Sequence, residues 1–188
     1  MTLLERLKAE TRAEHDRIER TVDLDRLTAT LAGYRAMLVR LHGFHSAWEA
    51  KAAEVVGGDD LFRRRRKARL IAKDLARLGM DEEEIARLPR CHPLMPLSNE
   101  AEAMGSLYVV EGSTLGGAVI ARAAERRLGL TAETGCGFFR SYGRETAAMW
   151  RSFGTRLLEL SSPAVDGIVV ASAKRTFEVM RIWLSEAR

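Results

Sequence analysis

Residues 3–19 contain the side chains best suited to metal chemistry. If this segment is one helix, residues three and four apart share a face. One narrow, mainly apolar stripe then contains Leu4, Leu7, Thr11, His15 and Ile18. A neutral imidazole on such a stripe can serve as the axial ligand of a metal ion or a haem iron. The alternative is a core histidine that hydrogen-bonds to a neighbouring residue.

Lys8 is the charged residue nearest to this stripe. It precedes His15 by seven residues, so on a straight helix it has nearly the same azimuth at a distance of about 10 Å. That distance is close to the separation between the iron of a haem and the edge that carries its propionates. An ammonium group there can pair with a propionate while the histidine binds iron. The alternative is an exposed lysine at the border of the stripe.

Residues 107–123 read "LYVVEGSTLGGAVIARA", a helical pattern interrupted by glycines. Each interior glycine costs about 0.8–1 kcal/mol relative to alanine, so Gly112, Gly116 and Gly117 together cost about 3 kcal/mol. Gly105, Gly112 and Gly116 are spaced seven and four apart and share one helix face. A face without side chains lets a flat ligand approach the backbone. Tight helix–helix packing is an equal alternative, and a bend in the same segment is a third possibility.

Tyr108 lies one turn before Gly112, on or beside the glycine face. Its hydroxyl can reach a second acidic group on a ligand. A histidine and a cation on one helix, opposite a glycine-lined helix with a tyrosine, together suit a flat dianionic macrocycle.

The elements that must position these groups are predicted to be helices. Proline, glycine and polar clusters mark breaks, above all the irregular connector at residues 88–100. Asn99, with Glu102 three residues later, predicts the start of the long glycine-containing helix. No segment alternates as a strand does. The sequence predicts one all-α domain over residues 1–188, with helices at about 3–20, 25–56, 62–78, 99–128, 138–161 and 164–187.

Composition excludes several classes of protein. A hydrophobic content of 46% with 30% charged residues is typical of a globular domain and excludes a disordered one. Cys91 and Cys136 form neither a disulfide framework nor a CxxC pair. The N-terminus lacks the apolar core of a signal peptide, and no stretch is apolar enough to span a membrane. We therefore expect a cytoplasmic protein. The net charge of +4 suits an anionic partner but does not identify one.

Two polar clusters are interpreted conservatively. The run "RRRRKAR" at residues 63–69 is predicted to be a solvated helix face, and a nucleic-acid patch is the alternative. His42, His45 and Glu49 share a helix face, but no second carboxylate–histidine pair of the di-iron kind accompanies them. We predict no role for them beyond ordinary helix chemistry.

Four segments, quoted from this sequence, resemble the haem oxygenase family, especially its bacterial branch. They are "LKAETRAEHDRIE" around His15, "GSLYVVEGSTLGGAVI" from Gly105, "FFRSYGRETAAMWRSF" and "AKRTF". The resemblance implies an all-helical fold that holds haem between a proximal N-terminal helix and a glycine-rich distal helix. It also implies oxidative cleavage of haem at a meso carbon to biliverdin, carbon monoxide and ferrous iron. Haem is then both cofactor and substrate, and dioxygen and an external reductant are required.

The resemblance also assigns residues. His15 would be the proximal iron ligand, Lys8 and Tyr108 would hold propionates, and Lys174 would be a third propionate candidate. The catalytic distal backbone would comprise Gly112, Ser113 and Gly116. Ser113 stands where the animal-type pattern has an aspartate, so the proton route stays unassigned. The full expected haem-binding set is Lys8, Thr11, His15, Tyr108, Gly112, Ser113, Gly116 and Lys174.

The resemblance implies two protein partners: a ferredoxin or flavin reductase as electron donor, and a bacterial phytochrome that receives biliverdin. One alternative is a haem-binding or haem-chaperone protein that does not open the macrocycle, an option favoured by the missing aspartate. The other is a helical nucleic-acid-binding domain that uses residues 63–67. We rank both below the enzyme and predict no nucleic-acid partner.

Overall fold

The computed structural model describes residues 1–21 and 23–185, and every regular element in these ranges is helical. The predicted all-α class is confirmed. The predicted irregular connector at residues 88–100 is confirmed up to the start of α8. A π-helical turn (Ala132–Cys136) precedes α9, and a 3-10 turn (Gly143–Glu145) precedes α10. The α-helices are α1 (Leu3–Glu10), α2 (Arg12–Thr21), α3 (Leu24–Leu27), α4 (Leu31–Val56), α5 (Asp60–Arg63), α6 (Ala68–Arg77), α7 (Glu82–Ala86), α8 (Glu100–Leu128), α9 (Gly137–Arg140), α10 (Thr146–Leu160) and α11 (Asp166–Ser185).

The first predicted helix is divided at Thr11 into α1 and α2. Thr11 has φ −102° and ψ 7°, although the backbone hydrogen bonds to Leu7 and from His15 continue across it. Its hydroxyl donates to the Leu7 carbonyl at 2.8 Å, a bond that commonly bends helices. The straight helix assumed for the spacing of Lys8 and His15 is therefore wrong.

The third predicted helix is wrong at its start, because residues 64–67 lie outside α5 and α6. The buried carboxylate of Glu49, on α4, accepts the backbone N–H groups of Lys67 and Ala68 and so caps α6 from another helix. Arg65 and Lys67 are only 2% and 3% exposed. The prediction of a solvated helix face for residues 63–69 is consequently wrong.

Two further helix starts depend on local capping side chains. The second predicted helix begins late, at α4, because the Thr30 side chain accepts the Gly33 N–H at 3.0 Å. Asn99 caps α8 as predicted, by accepting the Glu102 N–H at 3.0 Å. The Glu102 carboxylate accepts the N–H of Ser98 at 2.8 Å rather than that of the cap residue itself.

Helices α4, α8 and α11 form the centre of the hydrophobic core. Helix α8 packs most extensively on α11, where a side chain at Gly105 would overlap the Val169 carbonyl oxygen. A buried polar chain joins the three helices: Trp48 Nε1 donates to Ser106 Oγ at 2.7 Å, and Thr176 Oγ1 donates to the same oxygen at 2.9 Å. These contacts set the orientation of the first half of α8.

His45 makes the unfolding free energy depend on pH. Burial, assisted by the charges of Lys67 and His42, lowers its pKa from 6.5 to about 3. Because the unfolded chain takes up a proton near pH 6.5 and the folded chain does not, the stabilisation is complete above pH 6.5 and is lost as the pH falls. We expect a loss of about 2 kcal/mol between pH 6.5 and pH 5. The measurement is denaturant unfolding at both pH values.

A His45→Phe variant serves as the comparison, since aromatic neighbours Phe44 and Phe138 surround the ring. The variant should unfold with a smaller difference between the two pH values. An identical pH dependence in both proteins would contradict a buried neutral imidazole.

Among the described helices, none has the length and apolar content that a membrane span requires.

Candidate functional site

His15 lies on α2 at the surface, with 54% of its side chain exposed. The core-histidine alternative is therefore wrong. Its Nδ1 lies 3.7 Å from a Glu19 carboxylate oxygen, and its ring meets the Phe177 ring edge-on with centroids 5.9 Å apart. At 3.7 Å the carboxylate is too far from Nδ1 to accept a hydrogen bond, so it lies near the ring without fixing it. The imidazole is supported by Phe177 and is otherwise open.

The same turn of α2 also offers carboxylate ligands. Ligand atoms of His15, Asp16 and Glu19 lie within 4.8 Å of one another. All three belong to one exposed helical turn, so they provide ligands from one direction only. Such a set suits an axial nitrogen ligand better than an enclosed metal ion, which in structural sites has ligands on all sides.

The glycines of α8 differ in what surrounds them. Gly105 and Gly117 are required by packing: a side chain at Gly117 would come within 2.9 Å of the Phe139 carbonyl oxygen. A side chain at Gly112 would touch the Trp150 ring at 3.8 Å, and one at Gly116 would meet open space. The packing hypothesis therefore applies to Gly105 and Gly117. The ligand hypothesis stays a prediction for Gly112 and Gly116. Helix α8 is continuous through the segment.

Open space at Gly116 is bordered by apolar side chains. Leu115 and Val119, on either side of it, are 48% and 50% exposed. These two side chains flank a stretch of backbone that carries no side chain, so a flat ligand could contact both. This part of α8 offers a flat apolar wall.

Tyr108 connects this wall to the histidine segment. Its ring lies 5.9 Å from that of Trp150, the residue that faces Gly112. Burial raises the pKa of the Tyr108 hydroxyl, and the side chain of Thr11 opposes the shift by hydrogen bonding. Thr11 is itself buried at the junction of α1 and α2. The structure therefore brings the first glycine of the wall close to the junction that precedes His15.

The predicted cations lie at the surface. Lys8 is exposed, and no described acidic group is within ion-pair distance of its ammonium. Lys174, on α11, lies 3.4 Å from Oε2 of Glu10, whose other carboxylate oxygen, Oε1, forms an ion pair with Arg6. Lys8 is thus available to an anionic ligand, whereas Lys174 must first leave Glu10.

Ser113 is exposed, and its hydroxyl donates to the Val110 carbonyl at 2.7 Å. The proton of this hydroxyl is therefore held by the helix itself. The oxygen keeps lone pairs that can accept a hydrogen bond.

Sequence reasoning missed the residues behind this wall. Glu111, directly before Gly112, is completely buried and lies beside Arg65, Lys67 and Tyr142. A glutamate within an otherwise apolar helical stretch was the available signal. Trp150, which contacts the glycine face, gave no signal because its side-chain direction depends on how α10 packs.

A cavity of about 530 Å³ extends along the adjoining side of α8. Its lining includes Leu115, Ala118 and Phe139, together with residues of the turn that leads into α10. Leu115 therefore borders both the cavity and the flat wall, and the two form neighbouring surfaces of one helix.

These residues fit a flat apolar molecule with a metal centre and acidic substituents. His15 offers an exposed nitrogen, the backbone at Gly112 and Gly116 offers a wall without side chains, and Lys8 offers an exposed cation. Helix α11 packs on both α2 and α8 and so supports both walls. Haem has each of the complementary features.

Comparisons with known proteins give a consistent result. A family model described as "Heme oxygenase" matches residues 1–186. A curated heme oxygenase from Xanthomonas campestris pv. campestris is 33% identical over 152 residues, which is 77% of this chain and 84% of the relative.

Two solved structures show the same fold. The crystal structure of a heme oxygenase from Neisseria meningitidis, with NO and CO bound, matches with a TM-score of 0.84 at 24% identity and covers 100% of this chain and 92% of that one. The structure of a heme oxygenase from Leptospira interrogans matches with a TM-score of 0.76 at 16% identity. The match covers 99% of this chain and 100% of that one. At these identities the likeness concerns the fold.

Proposed function

Because the chain belongs to the haem oxygenase family, we propose that it cleaves haem at a meso carbon to biliverdin, carbon monoxide and ferrous iron. Residues 1–188 act as one haem oxygenase-like domain. The observation that carries the proposal is the presence, in a chain of this family, of an exposed His15 and of a backbone wall at Gly112 and Gly116 that is open at Gly116. Bound haem supplies the redox-active iron at which dioxygen reacts, and it is also the molecule that is oxidised.

His15 would hold the iron through Nε2, with the Glu19 carboxylate 3.7 Å from Nδ1. A neutral imidazole donates less electron density than a thiolate and does not favour early cleavage of the O–O bond. Phe177 supports the ring from the side of α11. The histidine therefore sets the position of the iron relative to α8.

Three side chains would hold the acidic substituents of haem. Lys8 would supply an ammonium, Tyr108 would supply a hydroxyl whose pKa is raised by burial, and Lys174 would be available once its pair with Glu10 opens. Thr11 is buried beside Tyr108 and interacts with its hydroxyl by hydrogen bonding. Together these groups would hold the acidic substituents of haem.

Helix α8 would form the distal wall. The lack of side chains at Gly112 and Gly116 would let its backbone approach a bound ring, and the Ser113 oxygen can accept a hydrogen bond. Preorganised polar groups in a confined site direct charge development at low reorganisation cost. An external ferredoxin or flavin reductase supplies electrons, and a bacterial phytochrome is the proposed acceptor of biliverdin.

Titration with hemin followed by turnover tests this proposal. We expect saturation at one haem per chain with a Soret band, and then biliverdin and carbon monoxide when a reductant and air are added. Chromatography identifies the biliverdin isomer. A complex that keeps its Soret band unchanged under these conditions would contradict the enzyme and support a protein that only holds haem.

A further inference from the structure

Behind the glycine wall lies a buried polar group, here named the Glu111 cluster and defined as Arg65, Lys67, Glu111 and Tyr142. Glu111 is completely buried, and the side chains of Arg65 and Lys67 are only 2% and 3% exposed. Buried charges are unfavourable unless each has a partner. The cluster lies on the core side of α8, so none of its members is exposed on the wall that would face haem.

Glu111 is the centre of the cluster. Its Oε2 accepts a hydrogen bond from the Tyr142 hydroxyl at 2.9 Å, and its Oε1 lies 3.3 Å from Nε of Arg65. The two partners come from the connector between α5 and α6 and from the turn after α9. One carboxylate, on the residue immediately before Gly112, therefore joins α8 to two other segments.

Arg65 extends this connection to α10. Its guanidinium donates to the carbonyl of Met149 at 2.6 Å and to Ser152 Oγ at 2.8 Å. Trp150, between these two residues, is the side chain that faces both Gly112 and Tyr108. The positions of the Trp150 ring and of Gly112 thus both depend on the Arg65–Glu111 pair.

Lys67 secures the turn that carries Tyr142. Its ammonium lies 3.2 Å from the centroid of the Tyr142 ring and donates to Ser141 Oγ at 2.8 Å. Ser141 has φ 47°, a conformation that residues other than glycine rarely adopt, so it needs such support. Burial raises the pKa of Tyr142, with the Glu111 charge second in effect, so this hydroxyl stays a donor to Glu111.

We propose that the Glu111 cluster positions the distal wall of the haem site by setting the rotation of α8 at Gly112 and the location of the Trp150 ring. Glu111 and Arg65 are positioning residues that act through backbone and ring and do not themselves touch haem. The inference depends on the proposed function for the identity of the ligand. The arrangement of α8 can, however, be measured in the protein without any ligand.

A pair of matched variants tests the proposal on the chain without haem. Tyr142→Phe removes the hydroxyl that donates to Glu111. Ser172→Ala removes a buried hydroxyl that donates to the Glu102 carbonyl at 2.7 Å and so holds the first turn of α8. We expect Tyr142→Phe to accelerate hydrogen–deuterium exchange at residues 108–117 by about tenfold or more, and Ser172→Ala to affect only residues 100–106.

The same variants are compared after hemin is added and reduced under carbon monoxide. We expect one narrow C–O stretching band in the wild type and in Ser172→Ala, but a shifted or split band in Tyr142→Phe, because the distal wall adopts more than one arrangement. A structural role alone would lower the melting temperature of both variants and leave the band unchanged. Glu111→Gln should shift the band in the same way, provided it folds.

Exchange at residues 108–117 that is unchanged in Tyr142→Phe would overturn the proposal. If the wild type binds no hemin, the proposed function fails, and the exchange experiment still decides whether the cluster positions α8. The two failures are therefore distinguishable.

Discussion

Replacement of His15 by alanine is expected to lower haem turnover by at least about 100-fold, a loss of about 3 kcal/mol in transition-state stabilisation. The variant removes the nitrogen that holds the iron, and none of the neighbouring side chains on α2 replaces an imidazole at that position. We also expect the Soret band of the hemin complex to shift or to be lost. Titration with hemin and measurement of biliverdin formation provide both values.

Two controls separate loss of the ligand from loss of the fold. Added imidazole should partly restore turnover to His15→Ala, because the side-chain position is 54% exposed and accessible to a small ligand. Glu19→Gln keeps the iron ligand and removes only the negative charge near Nδ1, and we expect a loss of no more than about 10-fold. A His15→Ala complex with the wild-type spectrum and turnover would exclude His15 as the iron ligand.

The second large effect concerns two glycines of α8, whose replacement by alanine should change the free energy of unfolding in opposite directions. Gly105→Ala is expected to lower the free energy of unfolding by about 3 kcal/mol, because the new methyl overlaps the Val169 carbonyl oxygen and forces α8 away from α11. Gly116→Ala is expected to raise the same quantity by up to about 1 kcal/mol, because it meets open space and alanine favours helix. Denaturant unfolding without haem measures both.

Gly116→Ala should affect hemin binding and stability in opposite directions. We expect Gly116→Ala to weaken hemin binding by about tenfold, since the methyl occupies the space that the macrocycle needs. Gly117 offers a matched control on the packed side, where an added side chain would meet the Phe139 carbonyl at 2.9 Å. Gly117→Ala should lower the free energy of unfolding, whereas Gly116→Ala should raise it. A Gly116→Ala variant with unchanged hemin affinity would exclude a ligand at this position.

The sequence predicted elements well where the determining signal was local. The start of α8 at Asn99 and the irregular segment that leads to it depend on a capping side chain and on prolines. The start of α6 could not be predicted in this way, because its cap is a carboxylate from Glu49 on α4. Caps that come from distant residues leave no local pattern.

Charge patterns were the least reliable guide. The run at residues 63–69 predicted a solvated face, yet Arg65 and Lys67 are buried against partners on α8, α10 and the turn after α9. A cation is placed by the partners that compensate its desolvation, and these partners are distant in sequence. The same holds for the buried anion Glu111, whose partners Arg65 and Tyr142 are also distant in sequence.

The sequence by itself determined the helical class, the family resemblance and the candidates His15, Tyr108, Gly112 and Gly116, because helical periodicity and motif order are local properties of the chain. Only the tertiary structure decided which glycines pack against a neighbouring helix and which leave open space. It also decided that His15 is exposed and that a buried cluster lies behind the wall. These properties depend on how α2, α8, α10 and α11 pack together, and packing depends on contacts between residues far apart in sequence.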